Sequence, residues 1–431
     1  MRRLLAGAVS IGLAAGAIPA AGAGSDYAVL VFTKTTGYRH ESIPAGVQAI
    51  RDLGAAHGFT VTEAPDASAF TADNLARYRA VVFLSTSGDV LDVHQQAAFE
   101  AYIRTGGGFV GVHAAADTEY DWPFYGRLVG AWFAGHPEIQ RADAHVTNRA
   151  HPATAHLPRV WTRTDELYNY RTNPRSAVQV LATLDESSYT GGTMGADHPI
   201  AWCHTVDRGR AFYTGFGHTA ASYTEPDFRS HLLGGIRYAA ARAHADCRPE
   251  TGYAALTDGW RQAGPGSFTI TDGTFSSVGG MGLLWYATRP FTDYAVKADW
   301  RVTDDSNSGI FVGFPDPGDD PWVAVNQGYE IQIDASDAPD RTTGAIYGFQ
   351  AADRAARDAV LNPPGEWNTF EIRVEGPRLR VYLNGVLIND FTGTDPARGL
   401  DGHLGLQNHG PADQVAFRNI RVAELPACGR R

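Results

Sequence analysis

Cysteine is scarce in this chain, with Cys203, Cys247 and Cys428 the only three among 431 residues. They stand far apart and no C-x-x-C occurs, which argues against a thiolate zinc site. Surplus positive charge is missing too. With Lys+Arg 36 against Asp+Glu 47, a net charge of -11, no basic stripe is available to collect phosphates, and neither nucleic acid nor an anionic membrane surface is an expected partner. Beyond the first residues no segment offers the roughly 20 uninterrupted apolar side chains of a membrane span. Long disordered or repetitive tracts are absent as well, which leaves neutral or polar small molecules as the expected ligands.

What is present reads as an exported two-domain protein. Arg2 and Arg3, the apolar run Leu4 to Ile18 and the small residues Pro19 to Gly24 follow the order of a secretory signal. Residues 1–24 are therefore expected to be removed and the mature chain secreted. In an oxidising compartment an odd cysteine count leaves one unpaired. Cys247 closes the first half and Cys428 ends the second, so these two are expected to pair, with Cys203 buried alone on a strand. A length of 431 residues exceeds one ordinary core and predicts two domains.

Across 25–243 short apolar runs alternate with helical periodicity. Ala28 to Phe32, Ala80 to Leu84 and Gly108 to Val112 are apolar on both faces, as buried parallel strands are. Val47, Ile50 and Leu53, then Ala97, Phe99, Tyr102 and Ile103, recur at helical spacing. This predicts an α/β domain with a doubly wound sheet. Ligands of such sheets bind beyond the carboxyl ends of the strands, here Thr33 to Ser42, Ser85 to Asp89 and His113 to Asp117. Histidines gather at strand ends and turns: His40, His113, His136, His151, His198 and His218. Each alone is more simply a structural hydrogen-bond partner, but as a set they could bind a transition metal or move protons at neutral pH. No pair has the i, i+4 spacing of a metalloprotease helix, so folding would have to assemble any metal site.

Residues 244–254 read as a linker, and from 255 to 425 the texture is all-β, with short strands separated by Gly, Pro, Asn and Asp. Asn384-Gly385 is a tight hairpin turn. The pattern predicts a β-sandwich of the jelly-roll or lectin type. In Tyr329 to Asp334, Glu330, Gln332 and Asp334 share one strand face and Tyr329, Ile331 and Ile333 the other. Either the polar face is simply solvated or it lines a concave sheet able to act on a sugar. Glu330 and Asp334, about 13 Å apart along a strand, are too distant for the paired acids of an ordinary glycosidase. The loop Asp316 to Pro321 offers oxygen ligands for Ca²⁺, although a solvated acidic turn is the simpler reading.

Two resemblances sharpen these expectations. Val31 to His40, Gly111-Val-His-Ala-Ala-Ala-Asp117, Phe133 to Pro137, Asp165 to Tyr168, His198 to Trp202, Gly209 to Tyr213 and Gly217-His218 resemble the ThuA-like, or trehalose-utilisation, family, whose fold is similar to class I glutamine amidotransferases. The resemblance implies disaccharide or keto-sugar metabolism and nominates a pocket of His40, His113, His136, Glu166 and His218. His113 stands where an amidotransferase has its thiolate, so glutamine hydrolysis is not expected.

Asp258-Gly-Trp260, Ser308 to Phe311, Gly328 to Ile333, Thr343 to Tyr347, Gly365 to Asn368, Leu383 to Gly385, Gly405 to His409 and Phe417 to Ile420 resemble the 3-keto-disaccharide hydrolase domain, similar in fold to concanavalin-like lectins and glucanases. This implies cleavage of a sugar oxidised at C3, where the ketone makes the C2 proton removable and the C1 substituent leaves by elimination. Glu330 and His409 are then the candidates for proton transfer. Asn307, Gln332, Gln407 and Arg418 would orient hydroxyls or the enolate, and Trp322 and Tyr347 would stack on the ring. Relatives carry an arginine after the Ser-Gly-Ile-Phe block where this chain has Val312-Gly313-Phe314, so no anion-stabilising group is expected there. A divalent metal near Glu330 and His409 is the one cofactor left open. The alternative is a lectin-like module that only grips sugars, attached to a ThuA-like domain.

Overall fold

The computed structural model describes residues 26–426. The expected leader, 1–24, and Cys428 lie outside them. Residues from Tyr27 to Ala239 form an α/β domain around a nine-stranded sheet. Its spatial order is Phe59–Ala64, Tyr27–Phe32, Ala80–Leu84, Gly108–Val112, Gly209–Thr214, His198–Val206, Gln179–Leu184, Gln140–Val146 and Val160–Asp165. The first five strands are parallel and the remaining four antiparallel. Ala80–Leu84 and Gly108–Val112 are buried at every position, the burial that their two apolar faces call for.

Helix Ile43–His57 starts on a proline in its first turn and stops at Gly58, whose φ of 77° suits a residue without Cβ. Helix Val93–Arg104 begins with a capping box, Asp92 accepting from the Gln95 amide while the Gln95 side chain accepts from the Asp92 amide. Apolar faces of these helices meet the sheet in one continuous core.

The second domain has two antiparallel sheets packed face to face. One runs Ser267–Thr271, Thr274–Val278, Val415–Glu424, Tyr294–Val302, Asn368–Glu375, Arg378–Leu383 and Val386–Thr392, with Ala254–Ala255 paired to Val415–Glu424. The other runs Trp260–Ala263, Gly282–Tyr286, His403–Asn408, Ser308–Phe314 and Tyr329–Ile333. Between them lie Val296, Trp300, Ile310, Ile331, Ile333, Phe370, Leu406 and Phe417. Asn384 and Gly385 turn the hairpin at φ 47° and 89°, left-handed at both centres as a two-residue loop requires.

The segment between the domains is pinned rather than free. Asp246 and Glu250 surround the buried Lys297 amine at 2.8 and 3.0 Å, Arg248 joins Asp246 to Glu371, and Arg421 binds Glu250. Arg149 to Asp272 (2.8 Å) and Arg237 to Glu366 (2.9 Å) fasten one domain to the other.

The expected Cys247–Cys428 bridge is corrected. Cys247 pairs with Cys203, their Cα atoms 5.4 Å apart, so the bond ties strand His198–Val206 to the interdomain segment. Cys203 is buried on a strand as expected, but it is not alone. Chain position suggested Cys428 as the partner, whereas the fold brings Cys203 to Cys247. No described helix is long and apolar enough to cross a membrane.

Candidate active site

Strand Tyr329–Ile333 pairs with Ser308–Phe314 so that Glu330 lies opposite Phe311 and Gln332 opposite Gly309. Ile331 and Ile333 enter the core between the sheets, which turns Glu330 and Gln332 to the sheet's other face. That face is covered and not solvated. Helix Trp322–Gln327 and the Tyr347 loop close over it, and every residue of the strand is buried. The result is a cavity of about 290 Å³ lined by Met281, Asn307, Trp322, Val325, Glu330, Gln332, Tyr347, Gln407 and His409.

Gly309 makes room for the carboxyl, because a Cβ there would sit 2.2 Å from Glu330 Oε1. With its amide nitrogen turned inward, Gln332 donates to Glu330 Oε1 (3.0 Å) and to Ser308 O (3.1 Å). Burial pushes the Glu330 pKa up to about 8, and the Gln407 amide only partly offsets it. The side chain therefore holds its proton at neutral pH.

His409 stands at the exposed rim, its Nδ1 2.9 Å from Asp413 Oδ2. Asp413 Oδ1 also accepts from the Asn307 amide (2.8 Å), so one carboxylate sets both residues. With Nδ1–H given to Asp413, Nε2 of His409 carries the lone pair. Asn307 Oδ1 and Gln407 Oε1 are buried without a protein partner, two acceptors open to donors of a ligand. Trp322 (54 % exposed) and Tyr347 (36 %) present aromatic surface at the mouth.

Seven of the eight residues expected for this site thus line one cavity: Asn307, Trp322, Glu330, Gln332, Tyr347, Gln407 and His409. Arg418 does not. It belongs to the other sheet, where its guanidinium lies 3.6 Å from the Trp367 ring centroid and donates to Arg149 O at the domain junction. Alternation places Arg418 opposite the buried Phe417 but cannot say which sheet the strand joins, and it joins the one remote from Glu330. Asp334, the third polar residue of the strand pattern, is structural, accepting from Asn307 Nδ2 (2.8 Å) and from the Ser336 amide. The residue missed was Asp413, whose one signal is its position four after His409.

The α/β domain assembles its own cluster. His40 follows strand Tyr27–Phe32, His113 follows Gly108–Val112 and His218 follows Gly209–Thr214, all at the carboxyl ends of parallel strands. His113 occupies the strand-to-helix elbow with φ 51°. Glu166 arrives from the far edge, just past Val160–Asp165, and its Oε2 lies 3.2 Å from His113 Nε2 and 3.1 Å from His218 Nδ1. His136, 42 % exposed, reaches Glu166 Oε1 at 3.1 Å. Asp165 fixes the His218 loop by accepting from the Gly217 and His218 amides, and Tyr168 lies against His113 with ring centroids 4.1 Å apart.

Burial, together with repulsion from His113 and His218, drives His40 down to about 3, so it is neutral. Burial alone would raise Glu166, but its contacts with His113 and His218 outweigh it and hold the carboxyl well below the usual range. His218 is raised for the reciprocal reason, the Glu166 contact overcoming partial burial. All five nominated residues therefore meet, and His40, His113, Glu166 and His218 place one ligand atom each within 4.8 Å of one another. His198 and His151 are structural, His198 held by Tyr168 O and Glu186 at 2.8 Å each and His151 buried beside Phe212 and Tyr238. His151 also nears Cys203 and Cys247, but their sulfurs are spent in the disulfide.

An α/β unit with a histidine and carboxylate cluster is thus joined to an all-β sandwich with an acid in a polar cavity. The sequence profile of the trehalose utilisation family, ThuA, matches residues 28–239, and that of the 3-keto-alpha-glucoside-1,2-lyase-like domain matches residues 254–423. The chain is a ThuA domain followed by a 3-keto-glucoside lyase-like domain. None of the curated proteins matches. Among solved structures, a ThuA-like protein from Bacteroides uniformis is 24% identical over 52% of this chain and 95% of its own, with TM-score 0.44. A proposed glycosyl hydrolase from Parabacteroides distasonis is 24% identical over 41% of this chain and 100% of its own, with TM-score 0.35. A carbohydrate binding module from Bacillus subtilis is 14% identical over 40% and 99%, with TM-score 0.30. At these values the likenesses say nothing of activity.

Proposed function

We propose that the sandwich is a carbohydrate-active enzyme that cleaves the glycosidic bond of 3-keto-glycosides by elimination followed by hydration. His409 Nε2 takes the proton from C2, and the C2–H electron pair forms the C1–C2 double bond as the C1–O bond breaks. Glu330, protonated, gives its proton to the departing oxygen. Water then adds at C1 and a proton returns to C2, so that the net change is hydrolysis. Gln332 and Gln407 face the enolate oxygen and hydroxyls, while Trp322 and Tyr347 carry the ring. The observation that carries this reading is a buried carboxyl held protonated to about pH 8 in the same cavity as an Asp-oriented imidazole. Two groups whose surroundings assign them opposite proton tasks are what such chemistry needs. The first domain is read as amidotransferase-like in fold with a separate sugar-related site, and the chain as secreted, a reading supported by its leader-like first residues and its disulfide.

The test is release of a chromophore from a 3-keto-glucoside by the full chain in D2O, with the unoxidised glucoside alongside. Elimination puts deuterium at C2 of the product and needs the ketone, whereas direct hydrolysis leaves C2 untouched. Wild-type rates in both Glu330→Gln and His409→Ala would remove this mechanism. The exposed Trp322 and Tyr347 also suit a sugar-binding module, and binding of the keto-glucoside without any turnover would favour that reading.

A further inference from the structure

We propose that the α/β domain holds one divalent transition-metal ion, ligated by His40, His113, His218 and Glu166. His113 Nδ1 lies 2.8 Å from Gly215 O and can only donate there, which leaves Nε2 a lone pair in the neutral ring. That lone pair faces Glu166 Oε2 at 3.2 Å and His218 Nδ1 at 3.2 Å. A carboxylate oxygen and an imidazole lone pair repel each other unless a proton or a cation lies between them.

His40 adds to the mismatch. It is 5 % exposed, its Nδ1 has no partner, and its ring centroid lies 4.9 Å from that of His113 and 5.0 Å from that of His218. A buried imidazole without a partner is unfavourable, and coordination of the ring would offset that. The spacing also fits. Zinc–nitrogen and zinc–oxygen bonds of about 2.0–2.1 Å put tetrahedral ligands about 3.3 Å apart, close to the 3.1 and 3.2 Å edges among Glu166, His113 and His218. His40 closes the set after a small rotation, since all four ligand atoms already fall within 4.8 Å. Three imidazoles and one carboxylate suit Zn²⁺, Co²⁺ or Ni²⁺ better than Ca²⁺ or Mg²⁺. Outer contacts of the kind that orient metal ligands are in place: Gly215 O on His113, Asp165 on the His218 loop, and His136 on the free oxygen of Glu166. His136 and His218, 42 % and 20 % exposed, mark the side open to solvent. A water or substrate oxygen would enter from that side as a fifth ligand, by expansion of the four-coordinate ion, which would make the first domain a second reaction centre.

The experiment strips the full chain with a chelator and titrates it with Co²⁺, followed by visible d–d absorption, and with Zn²⁺, followed by calorimetry. The expected result is one saturable equivalent per chain, with affinity falling by more than about 100-fold in Glu166→Gln and in His218→Gln. His145→Gln, whose imidazole faces Asp185 elsewhere on the domain, should bind as wild type does. His218 is partly exposed, so its variant keeps the test open if Glu166→Gln does not fold. Absence of a saturable equivalent in the wild type, or wild-type affinity in both ligand variants, would overturn the proposal. Because the readout is metal binding, it is independent of whether the sandwich turns over 3-keto-glycosides.

Discussion

Glu330→Gln should stabilise the sandwich by an amount that grows with pH. In the unfolded chain the carboxyl ionises near its ordinary value of 4.5, whereas in the folded cavity burial holds it protonated to about 8. Between these values the folded state binds more protons than the unfolded state, so stability falls as pH rises. Below pH 4 both states are protonated and the residue contributes nothing. Each unit above 4.5 then costs about 1.4 kcal/mol, which gives about 3 kcal/mol at pH 7 and a plateau of about 5 kcal/mol above pH 8. Glutamine keeps the shape, cannot ionise, and escapes the penalty. Amide hydrogen exchange in strand Tyr329–Ile333 reads the opening free energy of the sandwich itself, without interference from the first domain. After correction for intrinsic exchange, the difference between variant and wild type should be near zero at pH 4 and rise through pH 8. A difference independent of pH would refute the cavity's hold on that proton, and with it the role of Glu330 as acid. The same titration predicts that wild-type kcat falls as pH rises through about 8, while the variant is slow throughout.

Three further outcomes follow from the geometry. Gly309→Ala drives a Cβ to within 2.2 Å of Glu330 Oε1, so kcat on the 3-keto-glucoside should drop by about 100-fold or more with the melting temperature within a few degrees of wild type. Asp413→Asn would donate to His409 Nδ1 and move the imidazole proton to Nε2, costing about 100-fold in kcat with KM little changed, as steady-state kinetics would read. Cys203→Ser should lower stability by about 4 kcal/mol, from a bridge closing a separation of 44 residues, and reduction of the wild type should match it in a thermal melt.

Several elements could be read before folding because their physics is local. Both faces of Ala80 to Leu84 are apolar, so burial in a parallel sheet was the one economical reading, and Asn384-Gly385 tolerates the left-handed backbone of its turn. The hairpin of Ser267–Thr271 and Thr274–Val278 was not legible, because an edge pair rich in serine and threonine, largely exposed or half-buried, carries little alternation to detect. Alternation also located Glu330 and Gln332 together on one face, but whether water or protein covers that face depends on helix Trp322–Gln327 folding back across the sheet.

The two misplaced residues teach the same lesson from the other side. Arg418 shares its strand with core residues of the sandwich, and its distance from Glu330 follows only from which of two sheets that strand joins. Cys247 had two candidate thiols, and the choice rests on the path of the interdomain segment past strand His198–Val206. Both questions are of long-range topology, which side-chain type does not encode. The catalytic candidates were legible only in part. Glu330 on a polar strand face and histidines at the carboxyl ends of parallel strands show in pattern and position, whereas His409 and Glu166 enter only through the family resemblances, because nothing local to them marks a loop imidazole or an edge-strand acid as facing a distant strand.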